Sequence, residues 1–128
     1  MEIKIFLLIL LILIIIDMPM VTVINAKMYQ NQFLRINSAP MNLNMRTWIS
    51  AIICYLLLSF GLYYFSIKEN NYFNATILGL IIYGVYNTTN LISINEFGVK
   101  EAIIDTLWGT TLFTLISYTV IKLKMYMN

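Results

Sequence analysis

Four stretches of this chain each run for about twenty residues with at most one charge apiece, the length a helix needs to cross a bilayer. They lie at about Ile5 to Ala26, Thr47 to Ile67, Phe73 to Ser93 and Ala102 to Ile121. The second and third hold no charged residue; the first holds Asp17 and the fourth Asp105. Such runs imply an all-α, multi-pass membrane protein of four transmembrane helices in a compact bundle, because helices satisfy their own backbone in lipid. Composition agrees. Hydrophobic residues make up 60% of the 128 and charged ones 11%, against about 25% charged in a soluble domain. The four runs leave room only for connections, so the whole of 1–128 is expected to form one transmembrane domain.

Several chemistries are excluded early. The sequence has no histidine, which removes imidazole catalysis and His metal sites. Its one cysteine, Cys54, has no partner for a disulfide. A net charge of +2 without a basic cluster gives no footprint for nucleic acid. No catalytic residue, metal site or cofactor is expected. The first run resembles a signal peptide in its twelve apolar residues from Ile5 to Ile16. However, the charge before it is weakly positive and Ile24 precedes Ala26 where a small residue is preferred. A retained helix is the expectation, loosened near Pro19, which lacks an N–H.

The connection over 27–46 is the long one, with a short interfacial helix expected around Lys27 to Arg35. With four spans, Lys4, Lys68, Lys122 and Lys124 share one membrane face, and Lys27, Arg35, Arg46 and Lys100 share the other. The positive-inside count ties at four to four, and only the free amino terminus tips the termini toward the cytoplasm.

The polar residues gather toward the face away from the termini. Asp17, Arg46, the run Tyr86-Asn87-Thr88-Thr89-Asn90, and Asp105 with Trp108 all fall at similar depth, and the opposite half has no comparable set. A carboxylate facing lipid costs several kcal/mol, so both aspartates are expected to point inward. One network is expected from Asp17, Tyr86, Asn87, Thr89, Asn90, Asp105 and Trp108, with Arg46 as counter-ion at its mouth. It has two readings: hydrogen-bonded glue between helices, or a site for a cation, a proton or a polar head group. Ala75 and Gly79, four apart, and Gly109 with Thr110 supply small residues for close helix packing, within the bundle or in a homodimer.

These motifs resemble the small integral membrane proteins grouped as domain of unknown function twenty-one seventy-seven. The matching features are Asp17 late in the first run, Tyr29 after it, Tyr86 to Asn90 in the third, and Asp105-Thr106-Leu107-Trp108-Gly109-Thr110 in the fourth. The resemblance covers nearly the whole chain and implies four helices, with no activity attached. Two positions depart from the family pattern: Asn87 stands where an Asp is usual, and Met20 where a Trp is common. The skew to 22 Ile and 12 Asn suggests an AT-rich genome. A cell membrane or the inner membrane of a virion is the expected home. The expected role is a structural or assembly component of a membrane. Its partners are the lipid bilayer and, through the 25–46 connection, another membrane or capsid-type protein. The alternative is a small proton- or cation-coupled transporter working as an oligomer.

Overall fold

The computed structural model describes residues 1–127 and is helical throughout its regular structure. Helix α1 covers Ile3–Pro19 and runs into a wider turn at Met20–Ile24; α2 covers Ala26–Asn37. Helix α3 covers Met45–Leu62 and also widens, at Tyr63–Ile67; α4 covers Tyr72–Ser93 and α5 Val99–Met127. Three of these elements, Ile3–Ile24, Met45–Ile67 and Tyr72–Ser93, are long and apolar enough to cross a membrane. Four were expected. The fourth, α5, has 29 residues and therefore length to spare. Asp105 and its ladder of threonines from Thr106 to Thr119 lower its hydropathy below that of the others.

Proline explains the first widening. Pro19 donates no hydrogen bond, the register slips, and the Asn25 N–H reaches back five residues to the Met20 carbonyl at 2.8 Å. The expected loosening at this residue is therefore an added residue in one turn. The short helix expected in the long connection is α2. It ends at Ser38, which takes the left-handed conformation at φ 55° and returns its N–H to the Leu34 carbonyl. Asn44 and Asn71 start α3 and α4 by accepting from the Thr47 and Phe73 N–H groups.

Buried residues recur every fourth position, the period that keeps one helix face inward. On α1 they are Ile5, Ile9, Leu13 and Asp17. On α4, Ala75, Gly79 and Asn87 are buried, with half-buried Tyr83 completing the stripe. Helix α5 buries Ala102, Gly109, Leu112, Phe113, Ile116, Ser117 and Val120, and packs against both α4 and α1. It is the centre of the fold. Helix α3 lies against α1, and its widened end reaches α4 and α5.

Much of the surface along the spans is apolar. The Ile3–Ile24 element has a mean hydropathy of 2.9, yet only 17% of its most apolar window is buried. A helix apolar all round but covered on one side needs hydrocarbon on the other. The contact of α4 with α5 is the closest in the fold: a Cβ on Gly79 would lie 2.9 Å from the Gly109 carbonyl oxygen and 3.1 Å from the Thr110 Cα. Those small residues therefore pack within one chain.

Candidate functional site

Asp17 continues the buried face of α1, one turn beyond Leu13. Its Oδ2 accepts from the Tyr55 hydroxyl of α3 at 2.7 Å, and its Oδ1 accepts from the Trp108 indole N–H of α5 at 2.9 Å. One carboxylate thus joins three helices. Asp105 does the same for another three. Its Oδ1 accepts from the Tyr29 hydroxyl of α2 at 2.7 Å, and its Oδ2 from the Asn87 side-chain amide of α4 at 2.8 Å. Asp105 and Trp108 are three residues apart on α5, so the two clusters share one helix face.

Asn87 is 2% exposed. Its amide nitrogen also donates to the Tyr83 carbonyl oxygen at 2.8 Å and the Thr106 hydroxyl at 3.2 Å. Its Oδ1 is buried with no partner. The Tyr83 ring packs on Gly109, where a Cβ would overlap its ring carbons, so the glycine is what makes room for this tyrosine between α4 and α5.

All four donors to the carboxylates are neutral. Arg46, expected as a counter-ion, lies exposed in the first turn of α3 and pairs with neither aspartate. Among the described residues, the ion pair is Arg35 with Glu101, at 3.1 Å. A guanidinium at a helix start is cheaper to leave hydrated than to desolvate against a buried carboxylate. Glu101 sits below the ordinary carboxylate range because its own backbone N–H and then Arg35 favour the charged form. Tyr29 sits far above the usual phenol range: burial disfavours its phenolate, as do the bond to Asp105 and the charges of Asp105 and Asp17. Its hydroxyl donates to Asp105.

The other expected members of the network stand apart from it. Tyr86 is 59% exposed on the outer side of α4. Thr89 is exposed and returns its hydroxyl to the Val85 carbonyl of its own helix. Asn90 is half-buried and bonds to neither aspartate. The reason is the 100° step between consecutive helical residues: of the run Tyr86 to Asn90, only Asn87 continues the stripe from Ala75. Thr110 bonds back to the Thr106 carbonyl.

Tyr55 and Tyr83 play no part in the sequence analysis, and Tyr29 and Thr106 enter it outside the expected network, Tyr29 through the resemblance alone. A lone tyrosine inside an apolar span was the available signal, since its hydroxyl needs a partner there. The opposite end of the bundle also holds more than was expected. Ser66 and Ser117 share a hydrogen bond, Ser66 donates to the Asn71 carbonyl at 2.7 Å, and Thr76 meets Thr114 at 2.7 Å.

The family model described as predicted membrane protein, domain of unknown function 2177 (DUF2177), matches residues 2–121. The chain belongs to that family. No curated protein and no solved structure matches it. In this DUF2177 protein, the segments that carry the resemblance hold both carboxylates, Tyr29, Asn87 and Trp108. Trp108 links Asp17 to the rest of α5, so Trp108→Ala should lower stability by about 2–3 kcal/mol. Leu123→Ala, at a position 39% exposed, should change it by less than about 1 kcal/mol. Unfolding of both variants in mixed micelles checks this; equal losses would mean that Trp108 faces lipid.

Proposed function

We propose that this protein is a structural or assembly component of a lipid bilayer, crossing it four times with α5 as the fourth span. The observation that supports it is the engagement of both oxygens of both carboxylates. Each takes one donor on each oxygen, from two other helices, and all of those donors are neutral. An ion pathway needs an acid that can exchange partners with an entering ion. Here Asp17 and Asp105 are absent from the linings of the two grooves beside them. The pair of them ties α1, α2, α3 and α4 to α5, which is the work of internal glue.

A rigid core leaves the connection to do the contacting. Helix α2 is fixed to the head of α5 by Tyr29 on Asp105, by Gln32 accepting from the Gly98 N–H at 3.1 Å, and by Arg35 on Glu101. Its outer side presents Lys27 and Asn31, both exposed and four apart. We take this side as the docking surface for a second membrane or capsid-type protein. One observation favours an ion-coupled transporter instead: the unpartnered Oδ1 of Asn87 beside Asp105.

Two measurements test the choice. A photo-crosslinker placed at Asn31 in native membranes should give one adduct of defined mass, and a crosslinker at exposed Leu115 should give none. In proteoliposomes, imposed proton and sodium gradients should decay as slowly as in empty vesicles. Decay that Asp105→Asn abolishes would overturn the assembly role in favour of transport.

A further inference from the structure

Two grooves border the first span, one along α1 and one at the wide turn that follows it. The first, of about 280 Å³, opens between α1 and α3 and is lined by Leu10, Ile14 and Met18 on one side and Trp48, Ala51 and Ile52 on the other. The second, of about 420 Å³, lies beneath α2 and the segment after it, with Thr22, Gln30, Phe33 and Met41 in its walls. Leu10, Ile14 and Met18 are each four residues apart on α1, one stripe next to the buried one, and Thr22 lies in the wide turn that follows. A long molecule that reached from the first groove into the second would pass from Met18 to Thr22.

The lining decides what kind of molecule fits. No charged side chain takes part in either groove. Tyr55 and Tyr29 each line a groove, but their hydroxyls are turned inward onto Asp17 and Asp105. The first groove is therefore hydrocarbon in character along its length. The second adds polar atoms at one end, the amide of Gln30 and the hydroxyl of Thr22, which donates to the Met18 carbonyl and keeps its lone pairs free to accept. Outside the first groove stand exposed Leu7, Leu11 and Ile15 of α1 and Ile49, Ile53 and Leu57 of α3. On a face of that composition, the neighbouring material is lipid chain.

We propose that this groove holds one membrane lipid with a long aliphatic chain and an uncharged, hydroxyl-bearing head. The chain lies between α1 and α3, and the head lies under α2 against Gln30 and Thr22. An anionic head group is disfavoured because no Lys or Arg lines the pocket to receive it. The inference rests on reading α1 and α3 as membrane spans, and the experiment separates the two.

The protein is reconstituted into phosphatidylcholine vesicles carrying equal small fractions of diacylglycerol and phosphatidic acid. Flotation with the vesicles reports the membrane reading, and native mass spectrometry after detergent release reports the bound lipid. The expected result is one diacylglycerol per chain, retained at least tenfold over phosphatidic acid. Ala51→Phe should fill the first groove and abolish retention while the variant still floats and keeps its helical circular dichroism. Gln30→Leu, which leaves the chain groove open, should lower the preference for diacylglycerol at least threefold. Equal retention of both lipids, retention by Ala51→Phe, or a floating wild type with no lipid bound would each overturn the proposal. A wild type that does not float would instead overturn the membrane reading on which it rests.

Discussion

Asp17→Ala should lower the unfolding free energy by about 3–7 kcal/mol, the largest loss expected from any single polar residue of the chain. The estimate has two parts. Two hydrogen bonds inside the bundle are lost, at roughly 0.6 kcal/mol each on average in membrane proteins. Two donors, the Tyr55 hydroxyl and the Trp108 indole N–H, are also left without an acceptor in an apolar setting, at about 1–3 kcal/mol for each buried group that stays unpaired. Asp17→Asn should lose about half as much, because one oxygen remains to accept while the new NH₂ confronts the other donor. The decisive comparison is the cycle with Tyr55→Phe. That variant alone removes one donor; in the Asp17→Ala background it removes a group already orphaned. The double variant should therefore be more stable than the sum of the singles implies, by about 1 kcal/mol or more. Unfolding in mixed micelles measures all four corners, and strict additivity would show that Asp17 and Tyr55 do not interact.

The second large effect is expected from glycine. Gly109→Ala should destabilise by about 2–3 kcal/mol or more, as overpacking in a tight core does. The new Cβ would overlap three atoms of the Tyr83 ring, among them the ring carbon bonded to the side-chain Cβ. That end of the ring cannot swing clear, so α4 must move away from α5. Movement there disturbs the Tyr83 carbonyl and with it the Asn87 amide that serves Asp105. Gly79→Ala presses on backbone atoms and should behave alike. Gly84→Ala is the control of opposite sign. Its nearest neighbour would be the Thr106 methyl at 3.9 Å, an ordinary contact, and alanine is the better helix former by about 1 kcal/mol. A protein in which all three substitutions cost the same would not have the close α4–α5 seam described above.

The sequence carried the helices plainly, because charge-free length is a property of consecutive residues. It carried the burial of Asp17 as well: four residues beyond Leu13, it could turn outward only by setting a charge in lipid. What it could not carry was the choice of donors. Tyr55 lies 38 positions from Asp17 and Tyr29 lies 76 from Asp105, so no local spacing connects them. The cluster Tyr86 to Asn90 misled in the other direction. Five polar residues in a row must spread around a helix, and a single one of them, Asn87, meets both the buried stripe and Asp105. Arg46 has the charge a counter-ion needs, but charge alone does not determine which way a helix start faces. The Ser66–Ser117 and Thr76–Thr114 pairs were invisible because no local spacing connects them either: their members lie 51 and 38 positions apart.

The central place of α5 also has a consequence in time. Of the five helices it is the last to be synthesised, yet it brings Trp108 to Asp17 and Asp105 to Tyr29 and Asn87. Until it emerges, Asn87 can donate only to its own helix at Tyr83, and Asp17 has Tyr55 as its one partner from another helix. The earlier helices must therefore wait in the bilayer with their polar faces part-open, and the arrival of α5 closes both clusters together. A nascent chain stalled before Val99 should be caught as a loose set of helices, readily extracted and cleaved, that becomes resistant in one step once α5 has entered.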